Sequence, residues 1–380
     1  MAHIALANLL RTARAVACVV WVAVSGLYVP GAHAGEKIRV TFINPDKPGN
    51  PFWDALTEFM QAATSDLDID LQVRHAGGGR FSASNLAQEI LQSDPKPDYL
   101  VYIPQVREIG RTLQAAEAAK VRSFAINTDV LPEDKILVGA PGDKYKYWIG
   151  HMFPNDVQAG RDLALVLLRE SRAKYPGKTA QVIGVSGSRD SAAAVDRNTG
   201  LESAVSQFEN TQLNQIVFAG WDPQDAQLRT AGLLKRYPQT RVLWAASDAM
   251  ALGMVTAARA QGRTPGSDVF IGGVDWSDAG LVAIAQGDLV ASMGGHFMEG
   301  GWVMVLLHDY HHGRDFSSAL GSTIRSEMQV IHKGNVLSYR KSFSGKYADA
   351  IDFRKFSRVL NPGLKKYDFS LKAVLNASKQ

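Results

Sequence analysis

Short apolar runs alternate along the chain with longer segments whose apolar residues recur every three or four positions. The first series of runs is KIRVTFI (37–43), DLQVRHA (70–76), DYLVYIP (98–104), VRSFAIN (121–127) and a short ILVGA (136–140). A second series follows: TAQVIGVSG (179–187), NQIVFAG (214–220), RVLWAAS (241–247), DVFIGGVD (268–275) and VASMGGH (290–296). Most are apolar throughout rather than alternating, which predicts parallel strands covered on both faces. The segments between them read as helices. Ala251, Met254, Val255 and Ala258 share one helical face just after Asp248, and Pro223 and Pro238 bracket PQDAQLRTAGLLKRYP as a start and a stop. Two such series in tandem predict two similar α/β lobes, each a doubly wound parallel sheet, joined near YWIGHMFPND (147–156). That junction lacks a Gly/Ser run, so a hinge is expected rather than a loose tether.

The N-terminus changes the picture of where this chain works. Arg11 and Arg14 precede AVACVVWVAVSGLYV, and AHA-G follows at 32–35, the pattern of a secretory signal peptide cut after Ala34. Cys18 raises a lipoprotein reading, but it falls ahead of most of the apolar run. Removing 34 of 380 residues leaves 346 and takes away two arginines, so the net charge drops from +4 to +2. Cys18 is the one cysteine and leaves with the signal, so the folded chain must rely on its cores without disulfides. The near-neutral balance gives no case for nucleic acid.

In open parallel sheets, ligands sit at the carboxyl ends of the strands. The residues following each run are therefore the candidates. They include Asn44, Asn50, Phe52 and Trp53 after the first, and Asp129 after the fourth. The second series supplies Arg189, Asp190 and Arg197 from SGSRDSAAAVDRNTG, Trp221 and Asp222, Asp248, Asp275 and Trp276, and His296. Singly, each has a plain structural reading: an Asp or Asn after a strand is a common helix cap, and a Trp there a packing residue. What stands out is planar polar groups recurring with aromatics along one edge of both sheets.

With NPFW at 50–53, INTD at 126–129, Arg197 before NTG, SDAMALG at 247–253, GGVD at 272–275 and a strand ending at His296, the chain resembles the periplasmic sugar-binding proteins of the ribose and galactose type. These are related to the ligand-binding domain of the lactose repressor and to the autoinducer-binding periplasmic sensors. The resemblance covers about residues 37–332. It implies a two-lobed fold with three hinge crossings, near 150–154, 293–297 and 322–326. With the signal peptide at 1–34, it implies an N-terminal lobe of 35–152 plus 296–324 and a C-terminal lobe of 153–295 plus 325–332. Residues 333–380 exceed what that fold needs and are expected as an extension strapped over a lobe. Asn50, Phe52, Trp53, Asp129, Arg197, Trp221, Asp248, Asp275 and His296 would then line the cleft. The implied function is a periplasmic solute-binding protein that delivers a sugar, amino sugar or polyol to the membrane permease of an ABC importer. The alternative is a sensing subunit that reports to a membrane sensor kinase.

The chemistry agrees: aromatic rings cover the C–H face of a sugar, and carboxylates and a guanidinium take its hydroxyls. Three positions depart from the ribose pattern. Val130 replaces an Arg, Asp248 stands for a common Asn, and His296 for Gln or Asn; a net negative lining and a neutral or amine-bearing ligand follow. Arg197 is expected to aim an otherwise free guanidinium into the open cleft.

Enzyme readings are weaker. HDYHH (308–312) spaces three histidines at a helix end without a further ligand, and cations there favour the helix dipole. GVSGS (184–188) is not a nucleophile elbow, and GGG (77–79) lacks the Lys of a phosphate loop. Asp129 and Asp275 could pair as in a glycosidase, but a hinged binder needs the same residues. A non-enzymatic monomer without cofactor or metal is expected. The tail GKYADAIDFRKFSRVLNPGLKKYDFSLKAVL interleaves aromatics with Lys and Arg; it reads as short helices strapped over a lobe, or as a docking surface for a membrane partner.

Overall fold

A computed structural model describes residues 37–79, 81–342 and 347–377, and the signal-peptide expectation lies outside them. Among the described residues, twelve strands form two six-stranded sheets. The first holds β1 (Ile38–Asn44), β2 (Ile69–His75), β3 (Tyr99–Tyr102), β4 (Arg122–Ile126), β5 (Trp148–Pro154) and β11 (Thr323–Ser326), in the order β2-β1-β3-β4-β5-β11. The second holds β6 (Ala180–Ser186), β7 (Thr211–Phe218), β8 (Thr240–Ala245), β9 (Phe270–Val274), β10 (Ala291–Gly294) and β12 (Gln329–His332), in the matching order β7-β6-β8-β9-β10-β12. All neighbours are parallel except β12, which runs antiparallel to β10.

Burial explains the sequence pattern. The interior strands β3 and β9 are buried at every position, whereas the edge strand β2 buries only Ile69 and leaves DLQVRH half-buried or exposed. The order reverses between β1 and β3 and again between β6 and β8. These are the switch points beside which open α/β sheets leave a crevice at the carboxyl ends of their strands.

One element differs from expectation. ILVGA forms no strand: Pro132–Val138 is a helix, with Pro132 in its first turn and Glu133 and Asp134 following. The fifth strand is instead Trp148–Pro154, the segment read as a junction. It escapes a hydrophobic count because it carries Gly150 and the buried His151. Gly150 is required, since a Cβ there would lie 2.3 Å from the Phe124 ring.

The chain passes from the first sheet to the second between Pro154 and helix Asp156–Lys174. It returns after Gly294 through His296–Met298 into helix Glu299–His311, which packs on helix Pro51–Asp66, and passes over again between β11 and β12. The last passage, after Ser326, falls slightly beyond the expected 322–326. Helix Val336–Ser342 lies on helix Asp278–Gln286, with Tyr339 against Trp276 at 5.2 Å between ring centroids. The segment 347–377 lies instead on the first-lobe helices, where Phe353 meets Phe59 and Phe369 stacks on Trp302 at 4.8 Å.

Candidate functional site

A cavity of about 550 Å³ opens between the carboxyl edges of the two sheets. Its size falls within the roughly 300–1,000 Å³ of small-molecule sites. Of the fourteen sequence candidates, Asn50, Phe52, Trp53, Asp129, Asp190, Arg197, Trp221, Asp275 and His296 line it, while Arg189, Asp222 and Trp276 lie outside it.

Asn44 and Asp248 do not line it either. Asn44 is fully buried behind the wall, where its amide donates to Thr57 Oγ1 (3.3 Å) and its oxygen accepts from the Asp46 N–H (3.0 Å). Asp248, also fully buried, accepts from the Ser277 N–H (2.9 Å), Ser277 Oγ (3.0 Å) and Ser292 Oγ (2.7 Å). Burial pushes its carboxyl up to about 7 against those bonds. Both residues brace the loops that carry the wall.

The wall of the first lobe starts at the β1–helix turn. Asn50 caps helix Pro51–Asp66 by accepting from the Phe52 and Trp53 N–H groups, and its amide donates to Asp46 (2.8 Å). The cap leaves it little capacity for a ligand and fixes where the two aromatics emerge. Phe52 stacks on His296, whose turn packs on the same helix, at 4.6 Å between centroids, and meets Trp53 edge-on at 4.9 Å. Asp129 is engaged too: it accepts from the Val130 N–H (2.7 Å) and pairs with Lys135 (2.8 Å), with Arg325 at 3.8 Å. Lys135 went unread because it precedes the segment taken for a strand.

Arg197 stands at the centre of the second wall. Helices Asp156–Lys174 and Ala192–Gln207 touch backbone to backbone through Gly160 and Gly200, where any Cβ would lie 2.1 Å from a facing carbonyl oxygen. That close approach brings Arg197 onto Asp156. Its Nε donates to Asp156 Oδ1 (2.6 Å), Nη1 to the Ala246 carbonyl (2.7 Å) and Nη2 to His296 Nε2 (3.3 Å). The sequence reading of a free guanidinium is thus corrected: it is clamped. Two of its five N–H groups remain for a ligand. Asp156, which reads as an ordinary first-turn helix acid, is its buried partner, and burial pushes that carboxyl up to about 6 although Arg197 opposes the shift.

His296 follows from this geometry. An arginine can only donate, so Nε2 must accept and Nδ1 must carry the proton. Burial, with Arg197 beside it, holds the ring well below its ordinary pKa and therefore neutral. The Nδ1–H is buried without a partner, as is Thr128 Oγ1. Burial also raises Asp275 well above the usual carboxylate range, with Arg197 opposing and Asp248 reinforcing. Three lining residues other than glycine hold positive φ: Asn127 (71°), Trp221 (67°) and Asp275 (125°). Backbone strain of this kind costs about 1–3 kcal/mol each and gathers at ligand sites. Trp221 is further fixed by Gly187, whose Cβ would collide with the indole at 2.1 Å.

The histidines of HDYHH lie away from the cavity and contact one another and Tyr99: His308 and His312 rings are 4.4 Å apart, His312 Nδ1 contacts the His308 carbonyl (2.8 Å), and His311 Nδ1 lies 3.3 Å from Tyr99 Oη. Among the described residues no group of three His, Cys, Asp or Glu could hold a metal ion.

Comparison with known proteins gives a consistent picture. The profile of the periplasmic binding protein domain matches residues 40–313. A solved periplasmic sugar-binding protein from Pseudomonas fluorescens superposes with a TM-score of 0.80 at 30% identity, covering 89% of this chain and 99% of that one. A D-apiose import binding protein of Paraburkholderia graminis is 23% identical over 277 residues, 72% of this chain and 82% of its own length. A ribose import binding protein of Salmonella typhimurium is 23% identical over 245 residues, 64% of this chain and 75% of its own.

Proposed function

The chain belongs to the periplasmic binding protein family, and on that premise we propose that it captures a sugar or polyol between its lobes and delivers it to an ABC-type importer. The observation that carries the reading is the meeting of aromatic and polar groups in one cavity: Phe52, Trp53 and Trp221 line it beside Asp275 and Arg197, which keeps two N–H groups. A hydrogen bond to a charged group contributes about 1.5–3 kcal/mol, which a ligand hydroxyl can gain here. The aromatics supply the apolar face that a sugar ring needs.

The ligand class follows from the charges. Asp129 is neutralised by Lys135 and Asp248 faces away, but Asp46, Asp134 and Asp190 join Asp275 in the lining against Arg197, so the lining stays net anionic, as the sequence implies. We assign a neutral sugar or polyol, with Asp275 as the carboxylate that an amino sugar would meet. A signal peptide cut after Ala34 and a periplasmic site of action fit the family. Import, rather than reporting to a sensor kinase, is supported by the names of the D-apiose and ribose relatives. Capture and release without turnover requires no catalytic group, and the glycosidase pairing loses force because Asp129 is tied to Lys135.

The test is a thermal-shift screen of pentoses, hexoses, amino sugars and polyols, followed by calorimetry. At least one should raise the melting temperature through linkage. Trp53→Ala should then weaken that ligand at least tenfold, about 1.4 kcal/mol, with only a modest loss of ligand-free stability because Trp53 is half-buried. Response to amino acids alone would overturn the sugar assignment.

A further inference from the structure

Charge is segregated along this chain. Residues 333–380 carry eleven Lys and Arg against three Asp and Glu, a net +8, whereas residues 35–332 carry twenty-eight against thirty-four, a net −6. The fold turns the tail's apolar residues inward: Phe353, Phe356, Tyr367, Leu371 and Val374 are buried against the first lobe. Arg354, Lys355, Lys365, Lys366 and Lys372 are left exposed.

Within the tail, the loop RVLNPGLKK (358–366) is held at both ends by one residue. Asp309 is fully buried. It accepts from Ser357 Oγ, the Arg358 N–H (2.6 Å) and the Val359 N–H (3.4 Å) at one end, and from Tyr367 Oη (3.0 Å) at the other. Arg358 closes the base, its guanidinium 5.3 Å from the Tyr367 ring centre and its Nε on the Leu364 carbonyl (3.3 Å). On this anchored loop Leu360 is 46% exposed, and Lys365 and Lys366 have no ion pair among the described residues. A solubilising surface needs neither the exposed leucine nor the clamp.

We propose that loop 358–366, with the lysines around it, docks the protein on an anionic phospholipid surface. Lysines are compact, hydrated point charges that suit a diffuse anionic plane rather than the bidentate carboxylates of a protein groove. An exposed leucine at the same edge suits the boundary between headgroups and acyl chains. The opposite charge of the remaining chain would orient the molecule, basic tail towards the membrane, which shortens the search for a membrane partner.

The experiment is co-sedimentation of residues 35–380 with lipid vesicles, since residues 37–380 form a compact unit without the apolar N-terminus that would itself bind lipid. Vesicles of phosphatidylcholine alone are compared with vesicles containing about 30 mol % phosphatidylglycerol. Binding to the anionic vesicles is expected to exceed the neutral control at least tenfold, and to vanish near about 0.5 M salt. The double variant Lys365→Glu/Lys366→Glu should lose at least tenfold of that binding with an unchanged melting temperature, and Leu360→Ser should lose part of it. Equal binding to both vesicle types, no binding to either, or full binding by the charge-reversed variant overturns the proposal. Retention by an acidic protein without retention by vesicles overturns it as well.

Discussion

At the scale of single residues, the site is decided by which polar groups are already used. Arg197 reads from sequence as a ligand-binding arginine, and it lines the cavity, yet its first duty is structural. It is 4% exposed and holds a buried pair with Asp156. Removing one partner of a buried pair leaves an uncompensated charge, at a cost of about 3–5 kcal/mol. Arg197→Ala is therefore expected to destabilise the ligand-free protein by about that much in denaturant unfolding. Adding Asp156→Ala should restore part of the loss. A single variant as stable as the native chain would contradict the assignment. Asp156 was illegible because an acid in the first turn of a helix needs no partner to explain it. Asn44 and Asp248 misled for the opposite reason: residues after a strand point either into the crevice or back under the loops, and one sequence position does not say which.

At the scale of elements, strands and helices were legible wherever hydrophobic period decided them. The exceptions are instructive. ILVGA is apolar enough for a strand, but Pro132 and the acids after it start a helix, which leaves Ile136 and Leu137 exposed at 85% and 65%. Trp148–Pro154 hid because its close approach to Phe124 needs a glycine and its core position holds a histidine. Asp248 shows how elements are joined at this edge: from the first turn of helix Asp248–Ala260 it ties the loop after β9, through Ser277, to β10, through Ser292. Because its folded pKa lies near 7, above the ordinary 3.8, the folded state binds its proton more tightly than the unfolded chain does. Its contribution to stability is thus fullest below the ordinary carboxylate range and declines as pH rises towards 7. The stability of Asp248→Asn relative to the native protein should accordingly climb between pH 4 and 7 in parallel melts: buried His151 and His296 act on both and cancel, and Asp275, freed of the Asp248 charge that pushes it up, moves the difference in the same direction. A difference that stays flat with pH would show that the carboxyl is ionised throughout.

At the scale of the whole molecule, two sheets of one topology expose matching edges to a common cleft, and this much followed from the tandem pattern of apolar runs. The direction of the tail did not, because its aromatics and lysines suit either a strap or a free surface; the buried Asp309 beneath it was hidden inside a histidine-rich helix end. The cleft sets the central claim. Phe52 and Trp53 come from one lobe and Arg197, Trp221 and Asp275 from the other, so a small ligand can satisfy both sets only when the edges are close. Ligand must then shift the population towards the closed form. The most direct measurement is small-angle X-ray scattering of residues 35–380, with and without a saturating sugar found in the thermal-shift screen. The account predicts a smaller radius of gyration in the bound state, and an unchanged radius at proven saturation would contradict it.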